Sequence, residues 1–119
     1  MRIILKGRIP SKKNSRNIFV VKGRLLNIPS KQYEAWHEEK SWELKMRKFE
    51  KLEKVESIEI TIFAPDKRKS DLTNKVESLM DLMVDNGILE DDNWFVCGDI
   101  RLKFGGVDKE NPRAEIIIN

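Results

Sequence analysis

The stretch that decides the fold is VESIEITIFAPDKRKSDLTNKVESLMDLMVDNGILEDDN, Val55 to Asn93. Its first ten residues set Ile58, Ile60 and Ile62 against Glu59 and Thr61, the period-two alternation of a half-buried strand. Pro65 ends that strand, since it has no N–H to give a ladder. A second rhythm starts at Asp71. At about 100° per residue, Leu72, Val76, Leu79, Met80 and Met83 fall within one stripe, the buried face of a helix. Asn86-Gly87 supplies its stop, so the helix is predicted from Asp71 to Val84 or Asp85. Asp71, Asn74, Glu77, Ser78, Asp81 and Asp85 take the opposite, solvated face, with Asp71 favoured by the positive helix terminus.

Upstream of this core unit, RIILKGRI alternates as a strand, and Pro10, Ser11, Asn14 and Ser15 mark a loop. IFVV and RLLNI read as strands joined by a turn at Lys22-Gly23. Ser30 is a cap for a helix predicted from Lys31 to about Lys54, a span with no proline or glycine. That helix carries two apolar stripes, one of Tyr33, Trp36 and Leu44 and the other of Ala35, Trp42, Met46 and Phe49. A helix covering a sheet needs one stripe; the second asks for another contact, which a homodimer would supply. Downstream, WFVCGDIRLKF alternates as a strand, with Val96, Ile100, Leu102 and Phe104 on one side and Asp99, Arg101 and Lys103 on the other. GGVDKENP is a turn, and RAEIII closes a hairpin. The expected fold is α+β, a small single domain over residues 1–119 in which a mainly antiparallel or mixed β-sheet packs with two helices.

Composition narrows the function. The 119 residues suffice for one modest core. No apolar run approaches the ~20 residues that span a bilayer, and the first ten residues hold too short an apolar run for a secretory signal. The chain is therefore expected in the reducing cytoplasm, associated with the nucleoid when bound to DNA, with no membrane partner. Cys97 is the one cysteine, which excludes an intrachain disulfide and zinc-finger ligand sets. The net charge of +3 conceals an asymmetry: nine basic and no acidic residues precede Glu34, whereas the 86 residues from Glu34 onward carry 14 basic and 20 acidic side chains. Such a split suits an N-terminal segment that grips a polyanion. His37, mid-helix between Trp36 and Glu38, reads as a surface or packing residue, and Cys97 as a buried hydrophobe.

Lys67, Arg68 and Lys69 lead directly into Asp71, and Glu90, Asp91 and Asp92 follow the helix stop. Cations beside carboxylates are what a metal-dependent phosphodiesterase needs: the cations hold phosphate, and hard oxygen donors bind Mg²⁺. Four pieces of sequence, in order, resemble the RusA-type endodeoxyribonucleases, which resolve Holliday junctions: Ile9 to Arg16 (IPSKKNSR), Asp71-Leu72-Thr73-Asn74, Leu79-Met80-Asp81, and Gly87 to Asp92. The resemblance implies a homodimer that nicks branched, four-way DNA in pairs with Mg²⁺. By position it makes Asp71 and Asp92 catalytic, with Asn74 the helix-start asparagine and Asp71, Asp91 and Asp92 the metal ligands. Thr73 stands where the family commonly has a second aspartate, and Glu77 where it commonly has a lysine. Glu77 is thereby expected to replace the lost negative charge and Lys75 the lost cation. Lys12, Lys13, Asn14, Arg16, Lys67, Arg68, Lys69, Arg101 and Lys103 are the expected DNA-binding residues. Two other classes fit the same residues: a branched-DNA-binding protein with weak or no cleavage, and a dimeric regulator indifferent to branching.

Overall fold

The computed structural model describes residues 1–11, 16–21, 24–29 and 31–119, and no side chain between 12 and 30. The elements in chain order are β1 (Arg2–Lys6), β2 (Arg16–Val21), β3 (Arg24–Pro29), α1 (Lys31–Lys45), β4 (Ser57–Ala64), α2 (Leu72–Asp85), α3 (Trp94–Cys97), β5 (Asp99–Val107) and β6 (Arg113–Ile118). Four strands form one mixed sheet in the order β1-β6-β4-β5, while β2 and β3 pair as a separate antiparallel ribbon. The fold is α+β. The turn expected at Lys22-Gly23 and the cap at Ser30 lie outside the described residues.

β4 is the central strand. Its alternation holds as predicted: Ile58, Ile60 and Ile62 are buried and their neighbours are not. The same sheet face collects Ile3 and Leu5 from β1 and Ala114, Ile116 and Ile118 from β6, and Leu79, Leu82 and Met83 of α2 belong to the same core. The opposite face is charged. Arg113 lies 3.8 Å over the Phe63 ring and bonds Asp108 and Glu115 on either side.

The last two strands were expected to form a hairpin. Instead β4 separates them, antiparallel to β6 and parallel to β5. A parallel pair needs a long crossover, and the segment carrying α2 and α3 provides it. The turn after β5 then crosses the end of β4, with Asp108 N donating to the Ala64 carbonyl at 2.8 Å. β5 is left as an edge strand, so Ile100 and Phe104 are exposed although they share the face of Ile58 and Ile62.

Three further expectations are corrected. α1 ends at Lys45, not near Lys54. Nothing local forbids the longer helix, but Leu52 leaves to pair with the chain beyond α2, its N–H on the Ile88 carbonyl at 2.9 Å and its carbonyl taking Glu90 N at 3.0 Å. Tertiary pairing overrides propensity there. Of the two stripes on α1, Tyr33, Trp36 and Leu44 are core, whereas Trp42 and Met46 stay 64% and 85% exposed. Trp94 to Cys97 form a short helix rather than the start of a strand, capped by Asn93, whose Oδ1 accepts from Phe95 N and Val96 N. Gly98 makes the exit: at φ 54° a Cβ would stand 2.6 Å from the Glu56 carbonyl oxygen.

α2 runs as predicted, but its polar face does not. Asn74 and Ser78 are buried, and the segment Ile9–Ser11 packs on this part of the helix. Ser78 Oγ donates to the Pro10 carbonyl and Lys75 Nζ to the Ile9 carbonyl, each at 2.7 Å. Farther along, Asp85 Oδ2 meets His37 Nε2 at 2.8 Å and ties α2 to α1, the packing role expected of that histidine.

Candidate active site

Basic residues gather at the C-terminal end of β4. There the chain turns outward through Asp66 and the exposed residues Lys67, Arg68 and Lys69 before entering α2. Asp66 fixes Arg68 with bonds of 3.0 Å to Nε and 2.9 Å to Nη2, and that arginine holds the Asp66 carboxyl below its ordinary range. A cleft of about 330 Å³ opens here between the three cations, Lys75, Leu72 and Phe104. A neighbouring hollow adds Arg8. Arg8 was not among the expected DNA-binding residues; its signal was its place just before the Ile9–Arg16 loop. Burial, then the charge of Arg8, push the Lys75 ammonium below its usual value. Lys75 is therefore committed to the Ile9 carbonyl, where it holds the N-terminal segment on α2.

Asp71 opens α2 from an extended conformation. Its Oδ1 accepts from Thr73 N at 3.2 Å and from Thr73 Oγ1 at 2.8 Å. Thr73, the residue standing where the family has an aspartate, thus holds the first carboxylate as a hydrogen-bond donor. Glu77 is exposed one turn farther on, while Asn74 is buried.

The second acidic group folds against the other end of the helix. Asp91 Oδ1 accepts from Asp92 N and its Oδ2 from Asn93 Nδ2, both at 2.8 Å, and these donors hold Asp91 below the usual carboxylate range. Asp92 is pushed the opposite way, first by burial and then by Asp91 and the charge of Asp81. The same burial and carboxylates raise the Cys97 thiol, which sits on the Asp91 carbonyl at 3.5 Å and is buried as expected. Asp81, on the polar face of α2, is half-buried. Its place in the Leu79-Met80-Asp81 motif was the available signal for its part in this cluster.

The expected residues therefore divide into two groups. Asp71, Thr73, Lys75, Lys67, Arg68 and Lys69 gather at the N-terminal end of α2. Asp91 and Asp92 stand with Asp81, ten residues and about 15 Å of helix rise from Asp71. Arg101 and Lys103 lie elsewhere again, on the open face of β5, both 3.8 Å from Glu59. Lys12, Lys13, Asn14 and the Arg16 side chain lie outside the described residues. Among the described residues, no three acidic, histidine or cysteine side chains close around one metal position. The donor chemistry nevertheless suits a hard cation: Mg²⁺ keeps most of its waters and takes one or two carboxylates, and a carboxylate crowded by two others is relieved by positive charge.

The family model described as Endodeoxyribonuclease RusA matches residues 9–119. A protein of Aquifex aeolicus (strain VF5) named Crossover junction endodeoxyribonuclease RusA is 30% identical over 87 residues, covering 72% of this chain and 68% of that protein.

Proposed function

Since the chain belongs to the RusA family of endodeoxyribonucleases, we propose that it resolves four-way DNA junctions by paired, symmetric nicking that depends on Mg²⁺. The observation that carries this reading is the cleft at the end of β4, lined by Lys67, Arg68 and Lys69 and lying beside the carboxylate of Asp71 that caps α2.

In this reading Lys67, Arg68 and Lys69 hold phosphates without reading sequence, joined by Arg8 and by Lys12, Lys13, Asn14 and Arg16 farther along the chain. Arg101 and Lys103 would contact an arm passing over the open sheet face. The resemblance gives the cation to Asp71, Asp91 and Asp92. A single chain keeps Asp71 apart from the other two, so Asp71 would offer its carboxylate at the start of α2, and Asp91 and Asp92 theirs beyond its end. When bound, the cation supplies Lewis-acid stabilisation of charge developing on the scissile phosphate. Thr73 orients Asp71: both of its hydrogen bonds fall on Oδ1, which leaves Oδ2 to take a ligand. Asn74 and Lys75 act as positioning residues that seat the Ile9–Ser11 segment, and exposed Glu77 adds negative charge one turn beyond Thr73. Junction selectivity comes from a homodimer that presents two such sites to a two-fold symmetric substrate. The enzyme works in the cytoplasm, on the nucleoid.

The test is cleavage of an end-labelled synthetic four-way junction by wild type and Asp71→Asn, with Mg²⁺ or EDTA. Symmetric nicks that need Mg²⁺ and vanish in the variant are expected. Tight junction binding with no cleavage under any divalent metal would favour a binding-only protein.

A further inference from the structure

Trp94 and Phe95 are 81% and 76% exposed, next to the carboxylate cluster. Neither is there for the core, because α3 turns Val96 and Cys97 inward instead. Their positions are nevertheless fixed. Asn93 Oδ1 holds Phe95 N at 3.0 Å while Asn93 Nδ2 holds Asp91 Oδ2 at 2.8 Å, so one side chain couples the aromatic pair to the acids. Below them, the Val96 carbonyl takes Val55 N at 2.8 Å and anchors the turn to the domain. The two rings stand 6.1 Å apart at 62°, edge to face. That shape is a wedge, with one ring braced by the other and a face turned outward.

Resting on the junction-cleaving reading, we infer that Trp94 and Phe95 stack on the base pair left open at the branch point. Three observations select this occupant. Trp94 follows Asp92 by two residues, at most about 7 Å of backbone, so a strand whose phosphate lies at Asp92 brings its own bases to the ring. Without a cation Glu90, Asp91 and Asp92 offer the DNA backbone no attraction here, whereas stacking on a base is an attraction that does not depend on charge. Finally, in continuous duplex every base face is covered by its neighbour, and inserting a side chain means unstacking a step at a cost of a few kcal/mol. A branch point offers a pair whose outer face loses its partner when the arms open. The wedge therefore favours branched over linear DNA without reading sequence.

The experiment compares wild type with Trp94→Ala/Phe95→Ala, measuring affinity for a four-way junction and for a duplex of the same sequence, with Ca²⁺ in the buffer. Stacking on one base corresponds to about 5- to 150-fold in affinity. The double variant is expected to lose that much for the junction, to keep its duplex affinity, and to sediment as wild type does. Trp94→Phe should recover most of the loss, since a ring suffices. Circular dichroism checks the fold, and Trp94→Ser alone repeats the comparison if the double variant is unfolded. An unchanged junction-to-duplex ratio overturns the inference, as does dissociation of the variant into monomers, which would make the pair a self-interface. If wild type itself shows no preference for junctions, the junction-cleaving reading fails first. If wild type prefers them and the variant does too, the wedge alone fails.

Discussion

Asp92 carries the most informative charge in the protein. Burial, Asp91 and Asp81 all disfavour its ionised form, so its folded-state pKa lies above the unfolded value. The folded protein then binds that proton more tightly than the unfolded chain does. The stability this gives is complete below the unfolded pKa and is lost as pH rises through the folded one. Asp91 works in the opposite sense, since its pKa is lowered, and its contribution fades on acidification. Comparing Asp92→Asn with wild type isolates the first effect. In urea titrations from pH 3 to 7 the variant should gain stability relative to wild type as pH rises, and the two should converge at the acid end. The same carboxylate bears on the cation. A ligand that binds only the folded state at 100 times its Kd adds about 2.7 kcal/mol, so Mg²⁺ should raise the melting temperature of wild type and much less that of Asp92→Asn. Equal shifts in both proteins would remove Asp92 from the ligand set.

Helix α2 joins the two groups, and its caps separate folding from chemistry. Asn is as good an N-cap as Asp, whereas Ala at such a position costs about 0.5–2 kcal/mol. Asp71→Asn should thus keep wild-type stability in a urea melt while losing cleavage, and Asp71→Ala should lose both. Inside the helix, Ser78→Ala would strip the buried Pro10 carbonyl of its donor, at about 1–3 kcal/mol. Junction affinity should fall with it, because the basic loop begins at Ser11. This helix and β4 were legible in the sequence for a physical reason: a 3.6-residue or two-residue rhythm stands between a proline, a capping aspartate and an Asn-Gly stop. Elsewhere the deciding interaction was remote. No local signal told Leu52 to leave α1 for Ile88, or β4 to insert itself between β5 and β6. The bonds of Lys75 and Ser78 go to a segment more than sixty residues away. For the site the same line divides success from failure. The acids and cations are visible as types and motifs, but which carboxylates come near one another depends on where the chain returns after Gly87.

On the scale of the whole molecule, a four-way junction cut on two strands calls for two sites related by a two-fold axis, and one chain supplies one set of these residues. If a homodimer supplies them, we predict that the exposed part of the second stripe of α1, Trp42 and Met46, meets the second copy, since Phe49 packs on the core instead. Trp42 and Met46 are the large apolar residues that helix leaves outside the core, at 64% and 85% exposure, with Lys45 Nζ 5.5 Å from the Trp42 ring. In an isologous contact each substitution is made twice, and near the axis it meets itself. Met46→Glu should therefore set two introduced carboxylates against each other, and facing like charges in an interface cost several kcal/mol. Because Met46 is exposed beyond the end of α1, the fold should survive, with an unchanged circular dichroism spectrum. Sedimentation velocity should then show wild type at twice the 14.0 kDa chain mass and the variant at that mass. The products should change with it. Wild type would cut both strands within the lifetime of one complex, and the monomeric variant would release singly nicked junctions, resolved on a supercoiled cruciform as open circles instead of linear DNA. A variant that stays dimeric and still linearises the cruciform would move the interface away from α1, and the exposed edge of β5 would be the next surface to charge.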